Sequence, residues 1–278
     1  MRTPIVLLHG AWHGAWCWTP VLTHLAGIPR TAVAVDMAGH GLHAPPPRAL
    51  HRRPFDPEAL ATEPSPVAGV DLDQAAALLL SQLELLGRGG PVTVVAHSMG
   101  GVVLTRVAQQ APDLVAHAVY LAAFMPASGL SAGAYAMMPE YEGALLFANI
   151  RNDPLATGAA RLDTTSPDPD YRHRLRETFY GDVDETTAEA AIAMLGSDTP
   201  IGIGMGATTL TEAGWGRVPR TYVTCTRDRA LPPPVQQKFI RDADAAYPDN
   251  PTAVVTLDAS HSPFLSMPDV VADLIGKL

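Results

Sequence analysis

Six short apolar runs, at residues 3–8, 31–36, 91–95, 117–123, 220–226 and 252–257, lack the polar alternation of a half-exposed strand. Runs of this kind are expected of parallel strands covered on both faces. Between them the apolar spacing turns helical, at 16–25, after residue 98, at 235–246 and at the C-terminus. The clearest case is the recurrence of Leu72, Ala76, Leu79, Leu83 and Leu86, with Gly87 placed to stop the helix. The rhythm is α/β, and its short linkers demand a right-handed crossover. It breaks after Phe124. From 125 to 213 helical stretches occur, clearest at 175–180 and 186–195, with no strand-and-crossover pattern. The expected architecture is a mostly parallel six-stranded sheet with helices on both faces, formed by 1–124 and 214–278, with a helical cap at 125–213. Residues 42–69, rich in proline and carrying His51-Arg52-Arg53, show neither period. They read as a long surface loop that either walls the site or is a solvated excursion.

Chemistry concentrates where the runs end. The run at 91–95 breaks at Ala96-His97-Ser98-Met99-Gly100-Gly101. Small residues at 96, 100 and 101 suit a strained turn that lifts Ser98 clear of a sheet, at a helix N-terminus that favours developing negative charge. The first run opens into His9-Gly10-Ala11-Trp12-His13-Gly14, a loop of the kind that binds ligands at strand carboxyl ends. In an acyl-transfer site Ala11 would supply one oxyanion-hole N–H and Met99 the other, with Gly10 permitting close approach. The last two runs end at Asp228 and His261, which completes the chain order Ser, Asp, His. A serine hydroxyl needs an imidazole to take its proton, and the imidazole needs a carboxylate to fix its tautomer. Ser98, His261 and Asp228 are therefore the expected catalytic residues. Asp258 competes with Asp228 but lies only three residues before His261. His97 is expected to point the other way off the turn. No carboxylate or third histidine at fixed spacing makes His9 and His13 metal ligands. Gly10, Trp12 and the methionines Met125, Met137 and Met138 are expected to line the substrate pocket, the methionines as flexible apolar cap side chains.

Composition narrows the setting. The chain has 278 residues, 47% of them hydrophobic, enough for one large core with an inserted lid. A net charge of −9 argues against nucleic acid and anionic membrane as partners. A small-molecule substrate is the expected partner, with a homodimer left open. Cys17 and Cys225 fall in separate apolar runs and read as buried small residues. No apolar run reaches membrane-spanning length, and a strand beginning at residue 3 leaves no room for a signal peptide, so a cytoplasmic protein is expected. Lys238 and Lys277 are the only lysines among 19 basic residues, which suggests a GC-rich bacterial coding sequence.

Five stretches together resemble the α/β-hydrolases, and within them the plant-type methylesterase and hydroxynitrile lyase group with its bacterial relatives. They are 9–18 (HGAWHGAWCW), 36–41 (DMAGHG), 96–101 (AHSMGG), 226–232 (TRDRALP) and 261–268 (HSPFLSMP). Residues 179–184 (FYGDVD) look like part of that group's cap. The resemblance implies a six-stranded core, a helical cap after residue 123, no cofactor, and Ala11 and Met99 as oxyanion donors. Hydroxynitrile lyases of the group carry a lysine directly after the catalytic histidine and a threonine after the first loop histidine. Here those positions are Ser262 and Gly10, which favours ester hydrolysis. The expected function is a carboxylesterase-like serine hydrolase acting on small or aromatic apolar esters. Two alternatives keep the fold: a lyase, cyclase or cofactor-free oxygenase using His261 as base, and a small-molecule receptor.

Overall fold

A computed structural model describes residues 3–278. Among the described residues eight strands form: β1 (Ile5–Leu8), β2 (Ala32–Val35), β3 (Val92–His97), β4 (Val115–Leu121), β5 (Ala159–Arg161), β6 (Asp198–Pro200), β7 (Arg220–Cys225) and β8 (Ala253–Leu257). Six of them make one parallel sheet in the order β2-β1-β3-β4-β7-β8. The main helices are α1 (Thr19–Leu25), α2 (Leu72–Gly87), α3 (Gly100–Gln110), α4 (Pro169–Phe179), α5 (Glu185–Met194), α6 (Pro233–Ala246) and α7 (Pro268–Lys277).

The absence of alternation in the strands has a direct cause, since both faces of the sheet are covered. Val6, Leu8, Val94 and Tyr222 pack with the apolar faces of α2, α3 and α6. Ile5, Leu7, Val95 and Val223 pack on the opposite side with Cys17, Trp18 and the apolar faces of α1 and α7. The central strands β1, β3, β4 and β7 thus feed two cores through successive residues, while the edge strand β8 contributes Val255 and Leu257 to the second alone. Both cysteines are buried and free, as expected of small core residues. Strand order reverses direction between β1 and β3, and that switch point opens a crevice at the carboxyl ends of these two strands.

Helix ends follow local chemistry. Asp71 caps α2 by accepting from the Gln74 amide (2.9 Å), while Gln74 Oε1 accepts from the Asp71 amide (3.0 Å). Gly87 is the last helical residue of α2. The stop is made by Arg88, in the left-handed region at φ +49°, followed by Gly89 at φ +81°.

Two sequence expectations change here. The stretch 125–213 is not wholly helical: β5 and β6 pair antiparallel within it. Three residues each, one of them a proline, are too few to show a strand period. The stretch 42–69 contains two short helices, Arg48–His51 and Pro57–Thr62, and is fastened rather than loose. Arg161 on β5 is fully buried, pairs bidentately with Asp198 on β6 (2.7 Å twice), and donates through Nη1 to the carbonyls of Leu60 (2.6 Å) and Glu63 (2.9 Å). Among the described residues no helix is long and apolar enough to cross a membrane.

Candidate active site

Ser98 stands at the end of β3 in the left-handed region, at φ +50°. A non-glycine residue there costs about 1–2 kcal/mol and persists only where its surroundings impose it. Two constraints impose it here. Its carbonyl accepts from the amides of Gly101 (3.1 Å) and Phe124 (3.0 Å). The following glycines leave no room for side chains, since a Cβ on Gly100 would meet the His9 carbonyl at 2.5 Å and one on Gly101 the Phe124 carbonyl at 2.1 Å. The loop after β1 passes equally close, because a Cβ on Gly10 would stand 2.6 Å from Ser98 Cβ.

The two amides expected to face an oxyanion are each aimed by the carbonyl of their own peptide. The Ser98 carbonyl, held as above, directs the Met99 N–H the opposite way. The Gly10 carbonyl accepts from His9 Nδ1 (2.7 Å), which directs the Ala11 N–H. The tautomer of His9 follows from its other nitrogen: Nε2 accepts from the Met37 amide (3.0 Å), so the proton is on Nδ1. Burial first, and His40 second, hold the His9 pKa well below the ordinary histidine value, so the ring stays neutral. Among the described residues neither the Ala11 nor the Met99 N–H has an acceptor within the protein.

His261 and Asp228 meet from β8 and β7. His261 Nδ1 lies 2.7 Å from Asp228 Oδ2, and both residues are buried. Asp228 also accepts from the amides of Ala230 and Leu231 (2.8 Å each) and from Gln236 Nε2 (3.2 Å), so its charge is met by donors rather than left bare. The competitor Asp258 is 82% exposed, pairs with Arg227 Nε (2.9 Å) and accepts from the Thr226 hydroxyl (3.0 Å). It does not serve His261.

The loop carrying His261 is braced by two residues to which the sequence assigned no such role. Asp182, between α4 and α5, accepts from the Ser260 amide (3.0 Å) and from the Ser260 hydroxyl. His97 Nε2 donates to the His261 carbonyl (2.9 Å). The ring of His97 does not turn away from the site, as its position beside Ser98 suggested. It packs against the His261 ring at 4.5 Å between centroids. Burial and the neighbouring His261 push its pKa well down. His13 is held neutral by burial, with a pKa lowered to about 3; its Nδ1 donates to the Ala11 carbonyl (2.8 Å) and its Nε2 accepts from the Tyr180 hydroxyl (2.9 Å).

A cleft of about 220 Å³ opens beside Met99, lined by apolar residues including Trp12, Phe124, Ala160, Ile201 and Met205. A larger cavity of about 700 Å³ also has Trp12 in its wall, together with residues from 41–51 and 193–198. Of the residues expected to line the pocket, Trp12 is in the wall of the cleft and Gly10 sits against Ser98. The three methionines are corrected. Met125 is buried in the main core, Met138 packs against the same core, and Met137 is 88% exposed. A methionine's softness says nothing of the direction it faces, and Met99 and Met205 line the cleft instead. The aromatic and aliphatic residues Phe147, Leu146 and Ile150 also line it without any sequence signal.

The model of the alpha/beta hydrolase family matches residues 5–274. The chain belongs to the alpha/beta hydrolase family. The chain is 28% identical over 274 residues to a pyrethroid hydrolase of Sphingobium wenxiniae, covering 99% of this chain and 86% of that protein. It is 25% identical over 281 residues to methylesterase 9 of Arabidopsis thaliana, covering 98% and 96%. A crystal structure of a pyrethroid hydrolase from Sphingobium faniae superposes with a TM-score of 0.78 at 25% identity, covering 99% of this chain and 96% of that one. This alpha/beta hydrolase is a carboxylesterase-like enzyme.

Proposed function

We propose that this alpha/beta hydrolase cleaves carboxylic esters of small or aromatic apolar acids through an acyl-enzyme on Ser98. The observation that carries the reading is the buried His261–Asp228 hydrogen bond at 2.7 Å, which leaves His261 Nε2 to act as base at the edge of the sheet where Ser98 is raised.

Ser98 Oγ attacks the ester carbonyl carbon while its proton passes to His261 Nε2. Asp228 stabilises the imidazolium through Nδ1–H. The carbonyl oxygen becomes an oxyanion between the Ala11 and Met99 amides, at the N-terminus of α3. Collapse breaks the bond to the leaving oxygen, which departs as the alcohol with the proton from His261. Water then attacks the acyl-Ser98 carbonyl, giving its proton to His261. The second collapse releases the acid and returns a proton to Ser98 Oγ. Release of the acid leaves the enzyme unchanged.

Substrate class is argued from the cleft. Its lining contains no Lys, Arg, Asp or Glu, so a charged acid part would be stranded without a partner. The names of the relatives, a pyrethroid hydrolase and a methylesterase, support hydrolysis of an ester. The test is intact mass after exposure to an active-site fluorophosphonate. One adduct is expected on the wild type and none on Ser98→Ala or His261→Ala. An ester-cleaving wild type whose Ser98→Ala variant keeps its rate would remove the reading and leave His261 acting alone as a base.

A further inference from the structure

Trp12 is in the wall of two cavities. One is the apolar cleft beside Met99. The other is the cavity of about 700 Å³, whose lining adds His40, His51, Thr165 and Ser197 to Trp12 and Trp16. Trp12 is fastened toward both. Its Nε1 donates to the carbonyl of Ala160, which lines the cleft (2.9 Å), and its own carbonyl accepts from the amide of Gly196, which lines the larger cavity (2.7 Å). The residue is 3% exposed and held at φ +59°, in the left-handed region where a bulky side chain is rare. A large indole imposed on a backbone that suits glycine, directly after the oxyanion residue Ala11, indicates that the ring itself serves the site.

We propose that Trp12 is a partition that closes the larger cavity off from Ser98 and so limits the size of ester that the enzyme accepts. The larger cavity is a latent second chamber. Its lining holds Asp36 and Asp198 but no Lys or Arg, so it suits a bulky, uncharged group bearing hydrogen-bonding substituents and disfavours an anion. The inference rests on the serine hydrolase reading and names what sets its substrate range.

Removing the ring should join the two spaces. Glycine adopts the backbone of Trp12 without strain, so Trp12→Gly takes away the indole and leaves the loop its conformation. The measurement is the rate of phosphonylation of Ser98, read by intact mass, with one small methyl fluorophosphonate and one bulky biphenyl fluorophosphonate. The bulky-to-small rate ratio is expected to rise at least tenfold in Trp12→Gly, within the range that pocket shape supplies. Trp12→Leu, which retains an apolar plug, should also raise the ratio and stands in where the glycine variant does not fold. Ala193 is exposed, lies on α5 and lines only the larger of the two cavities, so Ala193→Phe added to Trp12→Gly should obstruct the chamber and reverse part of the gain. A labelled wild type whose ratio does not rise in the Trp12 variants, or a gain that Ala193→Phe leaves intact, overturns the partition alone. A wild type that takes neither probe overturns the serine hydrolase reading and the partition with it.

Discussion

Whether a backbone N–H can serve an oxyanion depends on where the carbonyl of the same peptide is held. For the Ser98–Met99 peptide two amides do the holding, while for the Gly10–Ala11 peptide a single imidazole does. On the proposed mechanism His9 would be a positioning residue, acting through the Gly10 carbonyl. His9→Ala frees the Gly10 carbonyl and also leaves the Met37 amide without its acceptor. Losing an oxyanion donor outright costs about 10²–10³ in kcat, so a donor left present but loosely aimed should cost roughly 10–100-fold. The expected signature is a fall in kcat with KM nearly unchanged, because the donor acts on the transition state. His9→Asn retains an N–H donor of similar reach and should recover part of the rate. A loss confined to KM, or equal losses in both variants, would count against the assignment.

At the scale of elements, the cap, the 42–69 segment and the sheet depend on different kinds of signal. Strands buried on both faces announce themselves by unbroken apolar runs, and the residues that end them carry Ser98, Asp228 and His261. These were legible because loops leaving parallel strands gather at one edge. The fastening of 42–69 was not legible. Nothing in the local sequence of Arg161 shows that its guanidinium spans β6 and two carbonyls some hundred residues away. Nor could periodicity choose which methionines face the cleft, since Met125 and Met205 have the same composition signal and opposite surroundings. The fastening carries a prediction. Arg161→Met strands the Asp198 carboxylate and leaves two carbonyls without their donor, a change that typically costs about 3–5 kcal/mol when one partner of a buried pair is removed. Protease cleavage should appear first within 42–69, and Arg161→Met/Asp198→Leu should restore much of the stability. Unchanged stability in the single variant would show that the pair is not the fastening.

For the molecule as a whole, the histidines around the site set how stability responds to acid. His9 and His97 are pushed well below the ordinary histidine pKa by burial, and burial lowers His13 to about 3 and His40 to about 4. In the unfolded chain each would return to about 6.5. Above pH 7 both states hold these rings neutral and no term arises. As pH falls through 6.5 the unfolded chain takes up protons that the native protein refuses, so stability declines until the native rings themselves titrate near pH 4 and below. Each proton contributes about 1.4 kcal/mol per pH unit, and these four rings together contribute on the order of 5 kcal/mol per pH unit near pH 5.5. Urea unfolding at closely spaced pH values gives the uptake directly from the slope of stability against pH. More than two protons taken up per molecule at pH 5.5 is expected. An uptake of one or none would mean that these imidazoles are solvated or already charged in the native protein, and the tautomer assigned to His9, with the aim of the Ala11 amide that depends on it, would fall.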